Sequence, residues 1–253
     1  MVRTRLIPTL QLKNWGLVKS RQFASWRPIG PAVVAGRVYN SRNVDELIAL
    51  DIDAPREARG PSVPLLRDLA DQCFMPFTAG GGVRSEQDVR ELLLAGADKV
   101  SVNTALYTAP DVVSACAAAF GAQCVVASID ARRVPGGDGW EAMMQAGTGQ
   151  TGLSAAEAAR RAVGSGAGEV LLTSIDQDGT MEGYDIGLIE SVASAVDVPV
   201  IACGGAGEPE HFVTAVREGG ADAVSAASIF HFTRYTPNDI KRHMDDAGLH
   251  VRV

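Results

Sequence analysis

The sequence predicts an α/β chain that folds as a single (β/α)8 barrel, and three observations carry that expectation. Short apolar runs alternate with longer helical patterns along all 253 residues. There are eight such units, which suits a barrel better than an open sheet. The second half of the chain also repeats the first. Pro76-Phe-Thr-Ala-Gly-Gly-Gly-Val-Arg, ending in Ala97-Asp-Lys-Val-Ser-Val-Asn-Thr104, recurs as Pro199-Val-Ile-Ala-Cys-Gly-Gly-Ala-Gly, ending in Ala221-Asp-Ala-Val-Ser-Ala-Ala-Ser228. Glu46-Leu-Ile-Ala-Leu-Asp-Ile-Asp53 likewise matches Glu169-Val-Leu-Leu-Thr-Ser-Ile-Asp176. One domain over 1–253 follows, built of two half-barrels at about 1–122 and 123–253.

The eight expected strands are Arg5–Leu10, Glu46–Ile52, Met75–Ala79, Lys99–Val102, Cys124–Ile129, Glu169–Ser174, Val198–Ala202 and Ala223–Ala226. Several are almost continuously apolar, as strands covered on both faces are. Between strands three and four, Ser85–Ala95 reads as a helix with Val89, Leu92 and Leu93 on one face. Ser85 with Asp88 three residues on resembles a capping box. Gly96, Gly166 and the Gly219-Gly220 pair mark helix ends. The long first loop, Leu17 to Trp26, has the length of a lid and carries Lys19.

Composition narrows the function. The 23 basic and 30 acidic residues leave a net charge of −7 and an isoelectric point of about 5.1. No basic stripe is present for nucleic acid or a membrane surface. No apolar run nears the roughly 20 residues of a bilayer span, and no signal segment forms at the N-terminus. Cys73, Cys116, Cys124 and Cys203 are scattered, which reads as reduced thiols in a cytoplasmic protein rather than disulfides or metal ligands. Neither a metal nor a cofactor is expected.

The 27 glycines are about 11% of the chain, against roughly 7% in an average protein. Many fall where a barrel keeps its chemistry, after the C-terminal ends of strands. Gly80-Gly81-Gly82 follows strand three, and Gly204-Gly205 with Gly207 follows strand seven. Asn103-Thr104 and Ala227-Ser228 follow strands four and eight, beside helix N-termini that favour anions. Tight turns would explain each cluster singly. Their repetition in both halves reads as two phosphate cradles, hence an elongated substrate with a phosphate at each end.

Asp130 ends strand five, where partial desolvation suits a carboxylate to acid/base work. Gln11 lies opposite it in the self-alignment, and an amide has no protonation chemistry at neutral pH. Asp176, Asp178, Asp51 and Asp53 add carboxylates at strands six and two. At the opposite face, Arg5, Glu46, Lys99 and Glu169 each begin a strand, a set of alternating sign that reads as a stabilising plug or as a gate.

These stretches together resemble the cyclase subunit of imidazole glycerol phosphate synthase over nearly the whole chain. The resemblance rests on Arg5-Leu-Ile-Pro, Gly16-Leu-Val-Lys19, the two glycine clusters, Leu171-Leu-Thr-Ser-Ile-Asp176, Asp178-Gly-Thr180 and Phe230-His-Phe232. It implies ammonia supplied by a glutaminase docked at the barrel bottom, in a heterodimer. The ammonia would convert a bis-phosphorylated ribulosyl aminoimidazole precursor into imidazole glycerol phosphate and an aminoimidazole carboxamide ribotide. It further implies Asp130 and the position of Gln11 as the catalytic pair, with Lys19 beside them. Gly81, Gly82, Asn103, Thr104, Thr173, Asp178, Gly179, Gly204, Gly205 and Ser228 would hold phosphate. Arg5, Glu46, Lys99 and Glu169 would gate ammonia, and Asp98 would meet the glutaminase.

The departure is at Gln11, where the family carries aspartate, with Thr9 replacing a cysteine two positions earlier. Loss of one acid/base carboxylate implies a rate lower by order 10²–10⁴. The Leu12-Lys-Asn-x-Gly-Leu-Val-Lys19 pattern is similar to a paralogous branch. Its members work with a glutaminase and a sugar amidotransferase in amidating surface-polysaccharide sugars.

Overall fold

The computed structural model describes residues 3–14 and 16–253. In chain order the elements are β1 Arg5–Lys13, β2 Gly16–Arg21, β3 Ser25–Pro31, α1 Ala32–Asn40, β4 Leu47–Asp51, α2 Val63–Ala70, β5 Phe77–Gly80, α3 Glu86–Leu94, β6 Lys99–Val102, α4 Thr104–Thr108 and α5 Pro110–Phe120. There follow β7 Val125–Arg133, β8 Trp140–Met144, β9 Gly149–Ser154, α6 Ala155–Gly164, β10 Glu169–Ser174, α7 Ile186–Ala193, β11 Val200–Cys203, α8 Pro209–Arg217, β12 Ala223–Ala226, α9 Ser228–Phe232 and α10 Pro237–Asp246.

Eight strands pair in parallel in the order β10-β11-β12-β1-β4-β5-β6-β7, and β7 pairs back to β10 to close the barrel. They are the eight expected from sequence. Two start two residues later than expected, at Phe77 and Val200, because Pro76 and Pro199 have no N–H to give a ladder. Each proline still offers its carbonyl, to Leu47 N and Val170 N respectively, both at 2.9 Å. Helix α3 begins at the expected capping box, Ser85 with Asp88. Gly96 (φ 105°) ends it in the left-handed region. Its N–H reaches Leu93 O and that of Ala97 reaches Leu92 O, which closes the helix end.

Two antiparallel hairpins were not expected. The first loop is not an irregular lid: β2 pairs with the end of β1, and β3 pairs with β2. Pro28 and Pro31 disguise β3 as a loop, yet an edge strand tolerates proline because its outer N–H groups need no partner. The second hairpin, β8 with β9, extends β7 in the same way. Gly16 and Trp140, which open the two hairpins, stand 124 positions apart, close to the offset of the sequence repeat. Added to the C-terminal ends of β1 and β7, both hairpins rise over the barrel mouth.

Inside the barrel, Ile7, Ile48, Val126, Leu171, Ile201 and Ala223 form a separate apolar layer. The larger core lies between strands and helices. Among the described residues no helix is long and apolar enough to cross a membrane.

Candidate active site

A cavity of about 220 Å³ opens at the C-terminal ends of the strands. Its wall brings Gln11 of β1 together with Asp130 of β7, Thr173 of β10, and Asp178 of the following turn. Gly81, Gly82, Asn103 and Thr104, the first expected cradle, line the same space. Gly81 is there for a backbone reason as well: a Cβ at its φ of 101° would stand 2.1 Å from Asp51 O. Thr104 Oγ1 accepts from Gln145 N at 3.1 Å, in the tip of the second hairpin.

Asp130 is buried, and among the described residues its one side-chain partner is a long contact from Asn103 Nδ2 at 3.4 Å. Burial, and after it the charge of Asp178, push the carboxyl up to about 7. A group of that proton affinity both gives and takes a proton at neutral pH. Gln11 is fixed differently. Its Oε1 accepts from Ser20 N at 2.9 Å and lies 3.0 Å from Ser20 Oγ. Ser20 Oγ also lies 2.6 Å from Asp178 Oδ2, and Lys19 Nζ lies 2.5 Å from Asp178 Oδ1.

Lys19 is therefore not the exposed loop residue that a lid would present: it sits on β2, buried and ion-paired. Asp178, grouped with the phosphate set from sequence, instead receives Lys19 and Ser20. The second cradle is also placed apart. Gly179, Gly204, Gly205 and Ser228 do not line the cavity. A Cβ on Gly179 would meet Ser20 O at 2.3 Å, and one on Gly205 would meet Gly183 O at 1.9 Å. The first hairpin and the turn after β10 thus press upon these backbones. Ser228 Oγ is buried with no partner among the described residues.

Sequence reasoning missed the residues that hold this mouth together. Arg56 donates to Phe23 O at 3.2 Å and Ala146 O at 3.4 Å, joining the two hairpin tips. It also stacks on Trp26, 4.4 Å from the ring centre. Arg59 grips Asp51 with both terminal nitrogens, at 2.7 and 3.0 Å. The visible signal was a pair of arginines in the loop after strand two. Ser20 carried none, because its role depends on a hairpin not recognised.

At the other end, Arg5 bridges Glu46 and Glu169, and Lys99 bridges the same two acids at 3.0 and 2.9 Å. The four side chains form a closed ring of alternating charge. Burial alone would lower the Arg5 proton affinity, but Glu169 and Glu46 outweigh it and raise it. Beyond the apolar layer, Thr9, Thr173 and Cys203 line the cavity itself. Thr9 Oγ1 and Ser225 Oγ are 2.5 Å apart. Asp98 accepts from Phe77 N at 2.8 Å, fastening the start of β5; Asp222 does the same for Val200 N at 2.9 Å.

Among the described residues no group of three or more His, Cys, Asp or Glu stands together as a metal site. The four cysteines are free.

Residues 5–236 match the sequence model of a family described as histidine biosynthesis protein. Similar curated proteins include imidazole glycerol phosphate synthase subunit HisF of Caulobacter vibrioides (strain NA1000 / CB15N). It is 49% identical over 253 residues, covering 100% of this chain and 97% of that protein. The protein of the same name from Hyphomonas neptunium (strain ATCC 15444) is 50% identical over 253 residues, covering 100% of both.

Proposed function

The chain belongs to the histidine biosynthesis protein family, among the relatives of subunit HisF, and from that premise we propose that it is an ammonia-using cyclase. In this reading it converts a bis-phosphorylated ribulosyl aminoimidazole precursor to imidazole glycerol phosphate and aminoimidazole carboxamide ribotide. It acts in the cytoplasm as one domain of two half-barrels, about 1–122 and 123–253, docked to a glutaminase.

The observation that carries the reading is the stacking along the barrel axis. A closed ring of Arg5, Glu46, Lys99 and Glu169 lies at one end, and a cavity holding Asp130 lies at the other. The apolar layer between them admits neutral ammonia far more readily than ammonium, whose charge is costly to desolvate. The ring parts to pass ammonia, Asp98 meets the glutaminase, and Asp130 exchanges protons at the mouth. Gly81, Gly82, Asn103 and Thr104 receive one phosphate. Thr173, Gly179, Gly204, Gly205 and Ser228 receive the other; the unpartnered hydroxyl of Ser228 supports that end.

The experiment is to mix the purified chain with a glutaminase of this family and supply glutamine with the precursor. Glutamine-driven turnover that needs both proteins is expected. Failure of the two to couple contradicts the reading.

Gln11 favours one second reading. With an amide in place of the family's aspartate, the chain serves as an ammonia conduit for a sugar amidotransferase, with weak cyclisation of its own. Indifference of glutamine-driven product formation to Asp130→Asn would favour this role.

A further inference from the structure

Gln11 offers a feature that its character as an amide alone does not reveal. A backbone N–H can only donate, so the Gln11 atom facing Ser20 N must be its oxygen. That fixes the amide: Oε1 points to the hairpin and the NH2 group to the other side. The NH2 group makes no hydrogen bond among the described residues and is not among the sealed, unpartnered polar atoms. Gln11 lines the cavity, so those two N–H groups face the space a ligand would fill. A carboxylate here could accept from Ser20 with one oxygen and would turn the second oxygen, an acceptor, toward the same space.

We propose that Gln11 is a specificity-determining latch, whose oxygen holds the first hairpin closed through Ser20 while its NH2 group donates to an acceptor oxygen of the ligand. The sign of the cavity wall at this point is thereby reversed relative to aspartate. A carbonyl, hydroxyl or phosphoryl oxygen is favoured where a proton-bearing nitrogen would suit a carboxylate. Proton exchange is left to Asp130 across the cavity. The closed hairpin also keeps Ser20 against Asp178, and so keeps the Lys19 pair assembled. This inference rests on the cyclase reading only for the identity of the ligand.

Two substitutions separate the halves of the proposal. Gln11→Met keeps the length but removes both the acceptor and the donors. Amide hydrogen exchange in residues 16–21 is expected to quicken about tenfold, the effect of losing one such bond. Unchanged exchange overturns the latch. Gln11→Ala serves this arm if the methionine variant does not fold. Gln11→Glu keeps an oxygen for Ser20 but presents an oxygen to the cavity. Its hairpin exchange should stay within about twofold of the parent. Its affinity for the bis-phosphorylated precursor, by calorimetry, should fall at least about tenfold, since an acceptor now faces an acceptor. Undiminished affinity overturns the donor role. Should the parent chain itself fail to bind the precursor, the cyclase reading and the donor half fall, while the exchange arm still decides the latch.

Discussion

Lys19 Nζ and Asp178 Oδ1 lie 2.5 Å apart, and both side chains are about 5% exposed. The pair ties the first hairpin to the turn after β10 and closes one flank of the mouth.

Removing one partner should therefore cost more than a surface ion pair would. Lys19→Met leaves the Asp178 charge buried without its cation, for a loss of roughly 3–5 kcal/mol. Denaturant unfolding is the measurement. Lys19→Met with Asp178→Leu should recover much of the loss, because a buried pair is often replaceable by apolar side chains.

Asp130 sets a pH dependence whose direction follows from burial. Its folded value of about 7 lies above the ordinary 3.8. The folded protein thus binds the proton more tightly than the unfolded chain. Stability from this group is complete below about pH 4 and is lost as pH rises through 7. Asp130→Asn should stabilise the protein relative to the parent at pH 8 by up to a few kcal/mol, and by little at pH 4. Thermal melts across that range test it.

The ring at the barrel foot predicts a split between two ammonia sources. Lys99→Met leaves Glu46 and Glu169 to share Arg5 alone. Glutamine-driven turnover with the glutaminase should drop about tenfold or more, while turnover at high ammonium should change less than about threefold. Equal losses with both sources would place the effect at the mouth rather than along the axis.

Gly81→Ala should damage folding before it damages binding. The new methyl would lie 2.1 Å from Asp51 O, in a left-handed backbone region. Left-handed strain alone costs about 1–2 kcal/mol, and the clash adds to it. A fall in unfolding free energy well beyond 2 kcal/mol is expected.

The barrel strands were legible because most are nearly continuous apolar runs, several of them with a proline or glycine close by, as at Pro76 and Gly96. The charged ring was legible because Arg5, Lys99 and Glu169 begin strands and Glu46 immediately precedes one. Hairpins escaped notice because β3 and β9 are edge strands with one partner each, and their prolines and glycines imitate loops. With them went Ser20, Arg56 and the true surroundings of Lys19. The direction of the Gln11 amide was beyond sequence altogether, since the N–H that orients it comes from a register, Gln11 opposite Val18.

Turnover of the bis-phosphorylated precursor by the purified chain at high ammonium tests the central claim most directly. The cyclase account predicts measurable formation of imidazole glycerol phosphate that Asp130→Asn abolishes. No product from the parent chain under saturating ammonium, or product indifferent to Asp130→Asn, would contradict it.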